Sequence, residues 1–273
     1  MNLRRTAERT LPEQKSRPTW KIGRWNELVT ELTVAELRAE MSRAYLGFVW
    51  WVVEPVLYML VFYVVFGIVF QRGGPEFVPT LLTGLIAWRW FDSATRAGML
   101  ALSRNKALMQ QVYVPKIAFP LVSVTTHTAK FLIVFTLLLL FLMLYGVSPG
   151  LTWLALPLVL ATQLLFITAA ASLTGLLVPF LPDLRVVINN GLMLMFFLSG
   201  IFYMAIEVPE SIRTYFFLNP MAVLIDALRD SLLHEQWPDW ARLAWVAGGS
   251  SAALAVAYRI FVRHDLNYPK LGL

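Results

Sequence analysis

Apolar residues along this chain form long blocks separated by short polar segments. Six of these blocks reach about 20 residues, the length at which an α-helix crosses the hydrocarbon core of a bilayer. They cover residues 48–70, 77–98, 117–145, 151–181, 184–205 and 242–262. The pattern predicts an all-α polytopic membrane protein with six transmembrane helices, which together form a membrane domain over residues 47–262.

The composition agrees with this interpretation, since 58% of the residues are hydrophobic and the mean hydropathy is +0.63. The chain has no cysteine, which excludes disulfides and thiolate metal sites. The three histidines fall in different regions of the chain, and no G-x-x-x-x-G-K-[ST] phosphate-binding loop occurs. We therefore expect no metal site, no bound cofactor and no ATP site in this chain.

The basic residues are distributed unevenly between the two sides of the predicted spans. Of the 23 Lys and Arg residues, 17 fall in or beside segments on one side and four fall on the other. The positive-inside rule then puts residues 1–46 and the tail 263–273 in the cytoplasm. The net charge of +6 is explained by this membrane topology, without nucleic acid as a partner.

The N-terminal segment contains a predicted helix of its own. Thr33 and Glu36 have the spacing of a capping box, and apolar residues recur at helical intervals after them. Such an amphipathic helix can lie in the cytoplasmic interface of the membrane. A soluble capped helix that packs on a partner is the alternative.

The first predicted span has a polar and aromatic face formed by Trp51, Glu54, Tyr58 and Phe62. A carboxylate two turns into a span is costly unless it faces protein or water, so this face should point away from lipid. Alternatively, Glu54 extends to the inner surface and the tryptophans form an ordinary interfacial belt.

The fifth predicted span repeats this pattern with Asn189, Met193, Phe196 and Tyr203. Aromatic faces stack on the C–H surfaces of sugars and amides exchange hydrogen bonds with hydroxyls, so such faces can line a path for a glycan. The same pattern is also compatible with simple packing inside a helical bundle.

Several charged residues lie inside predicted spans. Arg89, Asp92 and Arg96 share a face of the second span, where they can neutralise one another. Lys130, in the third span, requires a carboxylate such as Glu54 or Asp92, or access to water.

Residues 206–235, before the last span, contain two short apolar stretches separated by Asn219 and Pro220. This pattern predicts two re-entrant half-helices that enter the outer leaflet, with surface amphipathic helices as the alternative. Asp226, Arg229 and Asp230 look like one solvated helix face. The small residues at 168–175 and 247–255 predict close helix packing.

Residues 103–114 form a short polar helix candidate between spans two and three, ended by Pro115. This cytoplasmic helix offers a docking surface for a separate ATPase. A membrane-embedded enzyme that acts on lipid-linked sugars is the competing function, although no recognised catalytic motif is present.

The order of YLGFVWWVVEP, TGLIAWRWF, NKALMQQVYVPKIAFPL, GIFYMAIEVPE and FFLNPMAVLIDALRD resembles the permease subunits of type 2 ABC exporters for lipid-linked polysaccharides. That family includes the O-antigen, capsule and teichoic acid exporters. The resemblance covers residues 30–262. At Glu40 and Met41 the chain departs from many relatives, which have a more basic Arg-Tyr pair there.

The resemblance implies a homodimer in the cytoplasmic (inner) membrane, bound to two ATPase subunits that supply ATP hydrolysis. It implies that spans one and five line the conduit for the lipid-linked polysaccharide. It also implies a coupling helix that contacts the ATPase, formed by Asn105, Lys106, Leu108, Met109, Gln110 and Gln111.

Overall fold

A computed structural model describes residues 22–43, 49–50, 53, 56–57, 60–61, 63–69, 74, 76–111 and 113–264. Within these ranges the fold is all-helical. The α-helices are α1 (Ile22–Arg43), α2 (Phe77–Arg104), α3 (Lys106–Gln111), α4 (Ala118–Leu144), α5 (Leu156–Leu177), α6 (Leu184–Leu198), α7 (Glu210–Phe216), α8 (Pro220–Leu232) and α9 (Trp240–His264). A π-helix covers Tyr63–Val69, and 3-10 turns cover Leu151–Ala155 and Ala205–Glu207.

Three helical stretches in the described ranges are long and apolar enough to cross a bilayer: Ala118–Leu144, Leu151–Leu177 and Trp240–Arg263. They match the third, fourth and sixth predicted spans. The fifth predicted span is shorter than expected, because the chain turns at Gly200 with φ +72° after α6 ends. The first predicted span lies largely outside the described residues, so the full set of six spans stays a prediction.

The predicted N-terminal helix exists, but its predicted start at Thr33 is wrong. α1 is helical from Ile22 onward, so Thr33 lies in the middle of the helix. The Thr33 hydroxyl donates to the Val29 carbonyl at 2.7 Å, a bond within the helix rather than a cap. It also lies 2.6 Å from the Thr125 hydroxyl, which attaches α1 to α4.

Helix α2 is the centre of the fold, with most of its side chains buried against α4, α5 and α8. Trp90 stacks on Phe131 of α4, with ring centroids 4.0 Å apart, and donates its indole N–H to Thr128. Gln163 of α5 is fully buried and donates to the Ala87 carbonyl at 2.8 Å. Aromatic stacking and polar contacts therefore supplement the apolar packing, as expected between helices in a membrane.

Helices α2 and α5 approach each other closely where they cross, and the predicted small-residue surface at 168–175 lies at this crossing. A Cβ atom on Gly98 would lie 2.6 Å from the Ala171 Cβ, and one on Gly175 would lie 2.6 Å from the Gly98 carbonyl oxygen. The second predicted small-residue surface, at 247–255, has no such close contact at Gly248 and Gly249, because a Cβ on either glycine would meet nothing within 4 Å.

Candidate functional site

The polar and aromatic face predicted on the fifth span lies on α6 and the turn after it. Asn189 and Phe196 are half-buried, whereas Met193 is 62% exposed. Phe196 packs edge-on against Phe202 and tilted against Trp88 of α2. The remaining apolar side chains of α6 are largely exposed, so this helix leaves an apolar surface uncovered within the described chain.

The N-terminal half of α6 is tied to α2 by a polar link. Arg96 donates through Nε to both carboxylate oxygens of Asp92, at 2.8 and 2.9 Å. Its Nη1 donates to Asn189 Oδ1 at 2.5 Å. The predicted ion pair on the second span is therefore present, and it also engages a residue of the candidate conduit face.

The other half of the predicted conduit is Trp51, Glu54, Tyr58 and Phe62. All four lie outside the described residues. Their arrangement stays a prediction.

Lys130 has a carboxylate partner, as expected, but one that the sequence did not indicate. Its Nζ forms an ion pair with Glu40 of α1, whereas the sequence suggested Glu54 or Asp92. One helical turn before Lys130 on α4, Thr126 donates to Glu36 of α1 at 3.2 Å. The contacts of Thr33, Glu36 and Glu40 form one row of polar contacts between α1 and α4. Helix α1 can reach Lys130 because it continues to Arg43.

Helix α3 forms the predicted short helix between spans two and three. Gln110 and Gln111 are exposed, Asn105, Lys106 and Leu108 are half-buried, and Met109 is 5% exposed. Met109 packs into a core cluster with Leu102, Val114 and Phe261. Its side chain therefore belongs to the core of the chain and not to an exposed docking surface.

The segment before the last span forms two short helices that meet at Asn219 and Pro220. Asn219 caps α8 by accepting from the Met221 N–H at 3.0 Å, and its amide donates to Ser199 at 2.9 Å. Helix α8 is enclosed by α2, α5 and α9. A cavity of 1620 Å³ opens beside this region, lined among others by Thr80, Tyr203 and Asn219.

The predicted solvated face on α8 is wrong for Arg229, which is 2% exposed. Its guanidinium donates only to backbone carbonyls among the hydrogen bonds of the described chain. The sequence held a signal for this burial. Arg229 lies in helical register with the buried Ala222, Ile225 and Leu232, so it occupies the middle of an apolar face.

Comparison with known proteins addresses what these helices do. The O-antigen export system permease protein RfbA of Myxococcus xanthus is 29% identical over 245 residues, which cover 88% of this chain and 94% of that protein. RfbA of Klebsiella pneumoniae is 27% identical over 216 residues, covering 79% and 83%. The polysialic acid transport protein KpsM of Escherichia coli is 26% identical over 211 residues, covering 75% and 81%.

The family model described as "ABC-2 type transporter" matches residues 27–233, a range that includes most of α1, the central helix α2, the α6 face and the buried Arg229. This match covers well over half of the 273 residues. The chain therefore belongs to the ABC-2 type transporter family, as a multi-pass membrane permease that is not itself the ATPase.

Proposed function

We propose that this chain is the transmembrane subunit of an ATP-driven exporter that moves a lipid-linked polysaccharide, of the O-antigen or capsular class, across the cytoplasmic membrane. The extent of the similarity carries this proposal, because 94% of an O-antigen export permease is matched by 88% of this chain. A second similar protein is named for polysialic acid transport, so the two names share a polysaccharide as cargo.

The functional transporter is a homodimer of this chain bound to two separate ATPase subunits. The uncovered apolar surface of α6 supports a second copy as a neighbour, since Leu194, Phe197 and Leu198 are each more than half exposed. Lipid can cover such a surface as well, but Asn190 is exposed on the same helix and a protein or aqueous neighbour satisfies its amide better.

Both termini lie in the cytoplasm. The excess of Lys and Arg on that side supports this orientation. Helix α4 agrees with it, because Thr126 and Lys130 contact α1, whereas Leu132, Leu140 and Met143 after Lys130 are about half exposed and apolar. Lys130 then lies near the inner surface, and α1 lies in the cytoplasmic interface.

Helices α7 and α8 form a re-entrant pair from the outer side. The depth of the two ends of α8 supports this arrangement. Near its C-terminal end, the Ser231 carbonyl accepts from Thr152, at the outer start of the fourth span. At the other end, Pro220 borders a small cavity together with Phe166 and Gly249, which lie well inside the fourth and sixth spans.

The conduit runs along the α6 face with Asn189, Met193, Phe196 and Tyr203, opposite the first-span residues Trp51, Glu54, Tyr58 and Phe62. A Met193→Cys variant of this cysteine-free chain tests it. The thiol should react with a soluble maleimide and become protected when glycolipid is trapped. A Leu140→Cys control lies on the exposed apolar surface of α4, where we expect lipid, and should not react in either state.

The ATPase docks on the exposed side of α3. Gln110→Asp adds a charge to a surface that is exposed in the free chain, so insertion should be normal while burial against the ATPase becomes costly. We expect loss of ATPase co-purification at a normal level of the permease. Met109→Asp is the contrasting variant, because it puts a charge into the core and should lower the level of the permease itself.

Inverted membrane vesicles test the function as a whole. Vesicles that contain the permease and its ATPase should protect a lipid-linked O-antigen or capsular glycan from an added glycosidase only when ATP is hydrolysed. The glycolipid recovered afterwards should be chemically unchanged. Absence of ATP-dependent protection would contradict export, and a covalent change in the glycolipid would favour enzymatic action.

A further inference from the structure

The side chain of Arg229 connects three parts of the structure through backbone carbonyls. Its Nε and Nη2 donate to the Thr80 carbonyl on α2, at 3.2 and 3.0 Å. Its Nη1 donates to the carbonyls of Gly200, at 2.7 Å, and Tyr203, at 3.1 Å, and Nη2 donates to Ile201 at 2.8 Å. The planar fork of a guanidinium can bind several acceptors at once, which a lysine ammonium cannot reproduce.

Two glycines make this arrangement possible. A Cβ on Gly84 would lie 2.9 Å from Nη2 of Arg229 and 3.4 Å from the Ile201 Cα, so only a glycine leaves full room for the guanidinium. Gly200 has φ +72°, a conformation that L-residues rarely adopt. The backbone after α6 is thereby turned so that the carbonyls of Gly200, Ile201 and Tyr203 all face Arg229.

Three of the four residues whose carbonyls bind Arg229 also line the large cavity. Thr80, Ile201 and Tyr203 line the 1620 Å³ cavity, together with side chains from α7. Arg229 is not a lining residue, and lies behind this wall. Its position therefore fixes how the outer end of the α6 segment sits against the start of α2.

We propose that Arg229 is a positioning residue for transport, which holds the Thr80 and Gly200–Tyr203 wall of the outer cavity in the geometry required for export. The part of this inference that concerns export rests on the proposed function. The guanidinium does not contact the cargo and acts through Tyr203 and its neighbours. A purely structural role would lower stability without changing the shape of the cavity.

Two substitutions disturb the contact in different ways. Arg229→Lys keeps the positive charge but removes the planar set of guanidinium donors. Gly84→Ala keeps the arginine and places a methyl group against its Nη2. Gly248→Ala is the matched control, since it replaces another helical glycine with open space around it. Comparison with this control removes the effect of alanine on helix propensity. If Arg229→Lys does not accumulate, Gly84→Ala still tests the inference.

Each variant is purified with its ATPase and examined in two ways. The first is the labelling rate of a single cysteine at Met204, which lines the cavity. The second is the amount of glycolipid that becomes protected from glycosidase for each ATP hydrolysed in inverted vesicles. We expect Arg229→Lys and Gly84→Ala to change the labelling rate several-fold and to lower export per ATP about tenfold, the factor that corresponds to one hydrogen bond with a charged group. Gly248→Ala should match the unsubstituted permease in both assays.

The inference is overturned if Gly84→Ala matches Gly248→Ala in both assays. It is also overturned if the labelling rate changes while export per ATP does not, or if only thermal stability falls. Failure of the proposed function gives a different pattern, because the unsubstituted permease then shows no ATP-dependent protection of glycolipid. The labelling rate at Met204 still reports the position of the cavity wall in that case.

Discussion

The crossing of α2 and α5 predicts a strong effect from a very small substitution. Gly175→Ala adds one methyl group at the point where a Cβ would lie 2.6 Å from the Gly98 carbonyl oxygen. The oxygen belongs to a helix backbone and the position of a Cβ atom is fixed by its own backbone, so neither atom can rotate away as the end of a flexible side chain would. We expect the substitution to destabilise the permease although alanine is the better helix former.

The geometry of this crossing sets the size of the expected destabilisation. Ordinary contact begins at 3.4 Å, so the two helices must separate from 2.6 Å by about 0.8 Å at this point. A gap of that size forfeits about a quarter to a half of the dispersion energy of each contact it opens. Overpacking of this kind costs about 1–3 kcal/mol. The gain in helix propensity opposes it by about 1 kcal/mol, and Gly248→Ala shares that gain without the clash.

The free-energy difference between Gly175→Ala and Gly248→Ala is therefore about 1–3 kcal/mol. For chains of this size, each 1 kcal/mol changes the melting temperature by about 2–4 °C. Thermal unfolding of the purified variants in the same detergent measures this difference. Equal melting temperatures for Gly175→Ala and Gly248→Ala would refute the close-packed crossing.

Three further predictions concern the polar contacts and the topology. Glu40→Gln removes the carboxylate that pairs with Lys130 and should weaken the packing of α1 on α4 by about 1 kcal/mol. Faster proteolysis of the N-terminal segment measures this effect. A Lys130→Gln, Glu40→Gln double variant should lose less stability than the two single effects combined. The hydrogen bond and charge of Asp230 raise the pKa of His234. This pair therefore stabilises the fold below the unfolded pKa of about 6.5, and the stabilisation should be lost as the pH rises through the higher folded pKa. In an Asp230→Asn variant, the melting temperature should lose this part of its dependence on pH. In the permease without its ATPase, a cysteine at Gln110 should be labelled by an impermeant maleimide only after the membrane is opened, and labelling from outside intact cells would contradict the proposed topology.

The sequence predicted the elements that depend on local patterns. Long apolar runs gave helices at Ala118–Leu144 and Trp240–Arg263 within a few residues, because length and apolarity suffice to specify a span. The Asn219–Pro220 break also fell where expected, since proline begins a helix well and an asparagine side chain caps it. The small residues before Gly175 likewise indicated a close helix contact.

The errors arose where a long-range contact decides the outcome. The partner of Lys130 is separated from it by 90 residues, and no local pattern brings α1 to that position. The Thr33–Glu36 spacing suggested a cap because the motif is short and also occurs inside helices. Arg229 looked solvated beside two aspartates, since only the fold reveals the carbonyl groups that surround it.

The length of α6 has a consequence for the lipid around the protein. A helix of 15 residues rises about 22 Å, whereas the hydrocarbon core of a bilayer is about 30 Å thick. The hydrophobic mismatch must be met by local thinning of the bilayer beside α6 or by protein that covers the polar backbone beyond Leu198. Thinning would shorten the distance that a polar headgroup travels between the leaflets, at the same helix that bears the candidate conduit face.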